Sequence, residues 1–593
     1  MAGLMLMCSR HEREPVRSSA EVQRCAALMI PDNIQPRPSL VFDRKGMVAV
    51  VTTPGPGTLT RDGSIAVGHL YEPHGKWWEP GESVPDGAYA LCRVDERRVE
   101  LVTDLYASRT LWYALTDSMF LASSSQRALI ALLGGLELNH EAVSWMVSSG
   151  YLPPRAGWDR RLHKIPPASR VKLDRVRWTL DTARHVIPIT PSKGAEREHV
   201  ERLRNAIMDA CARLEVPWPT WRLALSGGMD SRSILLGLVK AGKKPSCITW
   251  GLAAARADEK NDAAIAARLA SRFGLQHEYY ATDFTGETLD LVLGRFIAVS
   301  EGQLDHFDAY TDGLRMWKLL FEAGVEGVIR GDEPSQGYRW YYPSEDQVRL
   351  RLQAHLVQDY PAAHPIHRLG LAPQTWPDEF RKSATESLVV YSGRLFQEFL
   401  SPAMLPALND TKGCYLEIAN PLLSRPVVAA SHALPESLRR GRRAAKAVHE
   451  GMKLDLPFSD RSAPASRSAF FAQPGFREEL KRGLSLPTAA LLFSEEATAT
   501  IETTLGASPP ASLWARVRPR VNEAMPARMV ERMKPLPTLT ASGWRLAFRA
   551  YIAARMAELL TEDADLLQPR ARRLTLEGDV ASLYRYSSEL RRS

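Results

Sequence analysis

The chain has 593 residues, 45% of them hydrophobic and 24% charged, and carries a formal net charge of +8. That is long enough for two or three domains with cores of their own, in the balance of a soluble globular protein. It excludes a membrane-spanning chain, since no run of about eighteen apolar residues occurs. The positive surplus leaves room for an anionic partner such as nucleic acid or an acidic peptide.

The opening MAGLMLMCSRHER is too short for a secretory apolar region and has no basic stretch before it, so a cytoplasmic protein is expected. Six scattered cysteines, Cys8, Cys25, Cys92, Cys211, Cys247 and Cys414, have neither CxxC spacing nor nearby histidine pairs, which implies no disulfide framework and no zinc site. The basic clusters Arg439-Arg440-Gly441-Arg442-Arg443 and residues 570–573 lack the interleaved aromatics of a single-strand groove. They read as solvated faces.

Between residues 40 and 123 the pattern predicts short strands at 47–51, 64–70, 88–94, 99–103, 111–114 and 119–122. Turn residues such as Pro85-Asp86-Gly87 and the stretch 53–57 punctuate them. A layered β-rich domain follows. Three phrases, DGAYALCRVD at 86–95, VTDLYASRTLWYA at 102–114 and FLASSSQRALIALL at 120–133, resemble the glutaminase-type (N-terminal nucleophile) domain of class B asparagine synthetases. A fourth, GYLPPRAGWDRRLHKIPPAS at 150–169, resembles the segment that closes that domain, which is placed at residues 1–190. Ammonia-releasing members of that family use a cysteine exposed by removal of Met, and here that position is Ala2. Cys8 would serve only after cleavage behind Met7, and an isolated cysteine is more often a small buried hydrophobe than a nucleophile. The resemblance thus implies a degenerate domain that makes no ammonia and acts as a structural or peptide-binding module.

Past a polar, proline-containing linker at 181–195 and a helix at 196–214, the chain reaches WRLALSGGMDSRSILLGLV, residues 221–239. An apolar strand at 221–225 runs into Ser226-Gly227-Gly228, and a helix starts near Asp230 with Ile234, Leu235 and Leu238 on one face. Adjacent glycines permit close approach of a ligand and positive φ, while the first helical N–H groups lack intrahelical partners and carry the positive end of the dipole. Such a turn attracts phosphate. Ser226 and Ser231 add hydroxyl donors, and Asp230 supplies a hard oxygen for Mg²⁺. SGGMDS resembles the pyrophosphate loop of ATP pyrophosphatases, which cleave ATP between the α and β phosphates. No Gly-Lys-Ser/Thr follows, so it is not the kinase-type loop. The plain alternative is a capped strand-to-helix turn.

Strands at 246–250 and 277–280 flank a helical pattern at Ile265, Ala266, Leu269, Ala270 and Phe273, closed by Gly274 as a C-terminal cap. The alternation predicts an α/β second domain, residues 196–593, with a doubly wound parallel sheet, ligand at the carboxyl ends of its strands, and a helical C-terminal part. Trp250 and Gly251 fall where backbone would face adenine.

GVEGVIRGDEPSQGY, residues 324–338, reads as a strand at 325–329 followed by Gly331-Asp332-Glu333. It resembles the synthetase family's glycine, Asp-Glu, Gly-Tyr segment with one glycine fewer. By that resemblance Gly331 lies at the nucleotide and Asp332 joins Asp230 as a ligand of Mg²⁺, which stabilises the charge of departing pyrophosphate. CYLEIANPLLSRPVV, residues 414–428, resembles the Glu-x-x-x-Pro-Leu/Phe-Leu segment beside the acceptor site. Glu417 is its candidate for orienting a catalytic group or the attacking amine, with a helix-surface glutamate as the alternative. The lysine that follows a Leu-Pro in that family is missing from LPFSDRSAPASRSAFF, which has Arg461 and Arg467, while Lys446 and Lys453 lie upstream as substitutes.

The reaction implied joins a carboxylate and an amine at the expense of ATP, giving amide, AMP and pyrophosphate, with ATP and Mg²⁺ as cofactors. Without a glutaminase cysteine the amine comes from the substrate itself, as in two known branches. β-Lactam synthetases close a small ring; lasso peptide cyclases join the N-terminal amine of a core peptide to an Asp or Glu side chain. The SGGMDSR form, with Arg232 after the serine, and the long basic C-terminal part resemble the second. Holding a threaded peptide is an orientation task, where positioning contributes several kcal/mol. The expectation is an ATP-dependent peptide macrocyclase with a precursor core peptide as substrate, a leader-removing protease as partner, and neither nucleic acid nor membrane. Amidation of a small acid and a non-catalytic peptide-binding role are the alternatives.

Overall fold

The computed structural model describes residues 3–11, 17–35, 38–52, 57–71, 75–284, 286–307, 310–332, 344–450, 454–505 and 543–568. All six strands expected between residues 47 and 122 form, within two residues of their expected ends. Six more strands join them. In chain order the twelve are β1 (Gly3–Ser9), β2 (Pro38–Arg44), β3 (Met47–Thr52), β4 (Thr58–Arg61), β5 (Ser64–Leu70) and β6 (Gly87–Val94). They continue with β7 (Arg98–Thr103), β8 (Trp112–Leu115), β9 (Met119–Ser123), β10 (His163–Lys164), β11 (Ser169–Asp174) and β12 (Thr179–Arg184). They pair antiparallel into two six-stranded sheets, β10-β8-β9-β1-β3-β2 and β12-β11-β7-β6-β5-β4.

β1 explains how the layers stack. All seven of its residues are buried, so GLMLMCS shows no alternation of apolar and polar positions, yet its side chains still alternate between faces. Leu4, Leu6 and Cys8 point into the space between the sheets with Ile65, Val67 and Leu101. Met5 and Met7 point outward beneath Val22, Leu129 and Met146 of a helical layer, Ser19–Ala26, Gln126–Leu133 and His140–Ser149. Side-chain caps start these helices at Ser18, Ser125 and Asn139. The helix Gly543–Ala564 packs onto this layer, held by Arg549, which bonds Asp305 at 2.7 Å and the carbonyls of Ser148 and Ser149.

β12 occupies the start of the expected linker, and no helix or strand follows until Glu196–Arg213. Beyond that helix five parallel strands form the second sheet system. β13 (Trp221–Ala224), β14 (Ser246–Gly251), β15 (His277–Ala281), β16 (Gly327–Ile329) and β17 (Glu417–Ala419) are arranged in the order β15-β14-β13-β16-β17. Leu223, Cys247, Ile329 and Ala419 face helices Glu196–Arg213, Met229–Lys240 and Asp262–Arg272 through Ile207, Ile234, Leu238, Ile265 and Leu269. Ile248 and Val328 face Leu293, Trp317 and Leu320 of helices Leu289–Ser300 and Arg315–Glu322 on the other side. Gly274, at φ +62, ends the helix before β15 as expected. The chain is thus a mixed α/β molecule of layered antiparallel sheets and one parallel sheet. Among the described residues no helix is long and apolar enough to cross a membrane.

Candidate active site

The chain runs outward from β13 to β14 and β15, then returns to the other side of β13 as β16 and β17. The reversal lies between β13 and β16, and crevices at the carboxyl ends of strands beside such a reversal are where open α/β sheets bind ligands. Ser226-Gly227-Gly228 follows β13 and Arg330-Gly331-Asp332 follows β16, so the two sequence-predicted segments meet there. A Cβ added at Gly331 would lie 3.0 Å from Ile234 Cδ1 and 3.2 Å from Asp230 Cβ, so the second loop rests on the start of the helix Met229–Lys240.

The glycine turn differs from expectation in its backbone. Gly228 has φ −79, and neither Gly227 nor Gly228 is left-handed. Room is what Gly227 supplies: an added Cβ would lie 2.5 Å from Ser459 Cβ and 3.0 Å from Ile265 Cβ. The turn amides are also engaged from within. Ser226 N–H donates to Ser231 Oγ at 3.1 Å, Gly227 N–H to Asp262 Oδ1 at 3.0 Å, and Gly228 N–H to Ser226 Oγ at 3.2 Å. The helix itself starts from Gly228, a residue that brings no capping side chain of its own. Ser226, Gly228, Met229, Asp230, Gly331 and Asp332 are all half-buried, at the surface of the crevice. A cavity of about 20 Å³ behind Asp230, lined by Ile207, Ser233 and Val448, holds no more than a water.

Each acid has an arginine. Asp230 is paired with Arg442, and Gly441 and Arg442 both take left-handed backbone, φ +62 and +57, in the approach to it. The first cluster read as a solvated face is therefore partly inside: Arg439, 2% exposed, donates to the carbonyls of His432 and Leu434, while Arg443, beside Glu196 at 3.3 Å, is exposed, and the Arg440 side chain and residues 570–573 lie outside the described residues. Asp332 accepts from Arg330 at 3.0 Å and from Asn420 Nδ2 at 2.9 Å, while its own N–H donates to Asn420 Oδ1 at 3.3 Å. Sequence reasoning passed over Arg442, Arg330, Asp262 and Asn420. Arg330 and Asn420 directly follow β16 and β17, a position that was legible. Among the described residues no three His, Cys, Asp or Glu side chains gather as a metal site.

Residues 456–463 cross the carboxyl ends of β13 and β14. Ser459 N–H donates to Gly227 O at 3.2 Å, Asp262 N–H to Arg461 O at 3.0 Å, and Leu252 N–H to Ala463 O at 2.9 Å. Gly251 leaves space for this crossing, as an added Cβ would come 2.4 Å from Ala463 backbone. Arg232 clamps the strap: its guanidinium donates to Leu456 O at 2.8 Å and Pro457 O at 2.6 Å and stacks 4.2 Å from the Phe458 ring. Trp250, one residue before the end of β14, is half-buried and edge-on to Trp317 with centroids 5.3 Å apart.

Glu417 lies elsewhere. It is on strand β17, 3% exposed, and its Oε1 accepts from Arg109 at 2.9 Å. Burial raises its carboxyl above the ordinary range and Arg109 pulls it back. Asp332 is held by Asn420, three residues further on, so Glu417 sits about 10 Å down the strand from the acid loop. Of the lysine substitutes, Lys446 is exposed, Arg461 pairs with Asp258 at 2.8 Å, and Lys453 and the Arg467 side chain lie outside the described residues, as do Glu333, Gly337 and Tyr338. A buried cation does stand near: Lys412 donates to Tyr310 Oη at 3.1 Å, and burial, with Arg330 next, holds its pKa well below the usual range.

The amino end of β1 is filled. A Cβ at Gly3 would lie 2.8 Å from Met29 Sδ and 2.9 Å from Thr52 Oγ1, and Cys8 is wholly buried at the far end of the strand. Burial pushes the Cys25, Cys211, Cys247 and Cys414 thiols up to about 12, which keeps them protonated.

No protein-family model and no curated protein matches the sequence. Among solved structures, the chain overlaps "the allosteric regulatory enzyme of purine biosynthesis" at 9% identity and a TM-score of 0.22, over 52% of this chain and 93% of that one. It also overlaps glutamine phosphoribosylpyrophosphate amidotransferase from B. subtilis, complexed with ADP and GMP, at 8% identity and a TM-score of 0.21, over 55% and 90%. Overlaps this shallow carry no argument about activity.

Proposed function

We propose that the chain is an AMP-forming amide ligase that activates a carboxylate with ATP, acting on a peptide that it closes through an isopeptide bond. One observation carries the nucleotide part: the helix start at Gly228–Asp230 and the Gly331-Asp332 loop meet at the reversal of a parallel sheet. Asp230 and Asp332 would hold Mg²⁺ through one oxygen each, with phosphates and water supplying the rest, as that ion prefers. When bound, it would stabilise the charge that builds on departing pyrophosphate. Arg442 and Arg330 suit the same anion, since each needs only to turn from an acid to a phosphate oxygen. The substrate carboxylate attacks the α phosphorus and pyrophosphate leaves; the substrate's own amine then attacks the acyl carbon and AMP leaves.

An internal amine in place of released ammonia is the reading that the sequence resemblance implies, and the candidate nucleophile Cys8 is wholly buried. The lasso cyclase reading, its precursor peptide and its leader-removing protease rest on the sequence resemblance. Arg232, which suggested that branch, has a structural task here as the clamp of residues 456–458.

The test incubates the full chain with ATP, Mg²⁺ and a core peptide bearing a small N-terminal residue and a downstream Asp or Glu. The reading expects AMP and pyrophosphate in step with a product one water lighter. AMP formed with small acids only would move the substrate class. A non-catalytic role, favoured by the internal hydrogen bonds of the glycine turn, would show as peptide binding without AMP.

A further inference from the structure

Three side chains of the N-terminal half converge on one short segment of the other half, residues 417–425. Arg109 pairs with Glu417 at 2.9 Å. Tyr71 straddles Asn420: its hydroxyl accepts the Asn420 N–H at 3.1 Å and donates to the Asn420 carbonyl at 2.5 Å. Both carboxylate oxygens of Asp86 accept the Arg425 N–H at 2.9 Å, at the start of the helix Arg425–His432. A Cβ added at Gly57 would lie 2.3 Å from Glu417 Oε2, so backbone as well as side chains of the first half closes on this segment.

Asn420 is the point where this grip reaches the site. Its backbone, φ −131 and ψ 84, turns the chain between β17 and Pro421, and its side chain holds Asp332 at both ends, by the carboxylate and by the backbone N–H. A hydroxyl bonded to both backbone groups of one residue fixes the two peptide planes flanking it, and so the direction in which its side chain leaves. Without that hydroxyl the Asn420 N–H would lose the oxygen it donates to, while the carbonyl would keep only the Leu423 N–H at 3.0 Å, which leaves the peptide plane before Asn420 free to turn.

We propose that Tyr71 is a positioning residue for the acid loop: it sets Asn420, and Asn420 sets Asp332. This rests on the reading of Asp332 given above. The N-terminal half then has a task in the reaction of the other half, which is to hold one of its acids in place.

Tyr71→Phe keeps the ring, which packs 5.8 Å from His69, and removes only the hydroxyl. Amide hydrogen exchange, followed by mass spectrometry on the ligand-free full chain, reads the relay without any activity. In Tyr71→Phe the peptides carrying the Asp332 and Asn420 amides should exchange about five- to tenfold faster, the usual effect of one lost hydrogen bond. Asp86→Asn should speed only the peptide carrying the Arg425 amide. In the AMP-forming assay, Tyr71→Phe should raise the Mg²⁺ concentration for half-maximal rate by a similar factor, with a smaller fall in kcat at saturating Mg²⁺. Asn420→Ala should shift it likewise, and the double variant no further. A folded Tyr71→Phe whose Asp332 peptide exchanges at the wild-type rate would overturn the relay. Wild-type protein that forms no AMP would instead overturn the ligase reading, and the exchange result would still decide the relay.

Discussion

Replacing Arg109 with Met tests how the two halves are joined. The substitution keeps an unbranched side chain and leaves the Glu417 carboxylate, 3% exposed, without its ion-pair partner. Breaking a buried pair from one side costs about 3–5 kcal/mol. Asp410, 3.7 Å from the same guanidinium, adds to the loss. The pH dependence separates this cause from lost packing. Burial already lifts the Glu417 carboxyl above its ordinary value of 4.5, and Arg109 opposes it. Removing Arg109 lifts it further, each unit being worth about 1.36 kcal/mol. A carboxyl whose folded pKa lies above its unfolded one binds more protons when folded, so stability falls as pH rises through that interval. The deficit of Arg109→Met against wild type should therefore be smallest near pH 5 and largest near pH 8. Adding Glu417→Gln removes the stranded charge and should restore much of the loss at the higher pH. Urea unfolding followed by circular dichroism across that range is the assay. A deficit that does not change with pH, or a double variant no more stable than Arg109→Met alone, would refute the reasoning.

Gly227→Ala should cost about 1–3 kcal/mol and raise the KM for ATP, because the new methyl meets Ser459 and Ile265. Gly228→Ala, whose methyl meets only Ser226 Oγ at 3.2 Å, should lose less, and equal urea midpoints for the two would contradict the packing at the turn. Arg232→Lys cannot span both the Leu456 and Pro457 carbonyls, so limited proteolysis within residues 454–463 should speed up while the far side of the sheet stays protected. Uniform resistance there would show that the strap is held by other contacts. His449 bonds Ser233 Oγ at 3.0 Å and Met229 O at 3.0 Å, and burial pushes its pKa down to about 4. Its contribution to stability is thus present above the ordinary value of 6.5 and is lost as pH falls toward 4. His449→Gln should flatten the fall of Tm over that interval, and an unchanged slope would count against it.

Much of this was legible in the sequence, for physical reasons that differ by element. β5 and β6 read well because turn residues bound them, and Gly274 because a helix ending there needs a left-handed residue. β1 was not read as a strand: both of its faces are covered, so GLMLMCS has the continuous apolar run of a buried strand, which periodicity cannot distinguish from other apolar stretches. The meeting of the Asp230 and Asp332 segments was expected from the resemblance of both to the synthetase family, whereas their arginine partners depend on contacts over long separations. Arg442 lies 212 residues from Asp230, in a cluster whose composition suggests a solvated face. Glu417 carried a motif but no burial signal, since a three-residue strand followed by Asn-Pro has no measurable period. Tyr71 and Asn420, 349 residues apart, could be joined only by the fold.

The central claim is that the helix start at Asp230 and the Gly331-Asp332 loop hold one nucleotide together. Calorimetric titration of the full chain with a non-hydrolysable ATP analogue, with and without Mg²⁺, tests this without a peptide substrate. The prediction is a single Mg²⁺-dependent site, weakened about tenfold or more, a loss of at least about 1.4 kcal/mol, by Asp230→Asn and by Asp332→Asn, and unchanged by Arg461→Ala. Binding that is absent from the wild type, or that survives both substitutions at full strength, would contradict it.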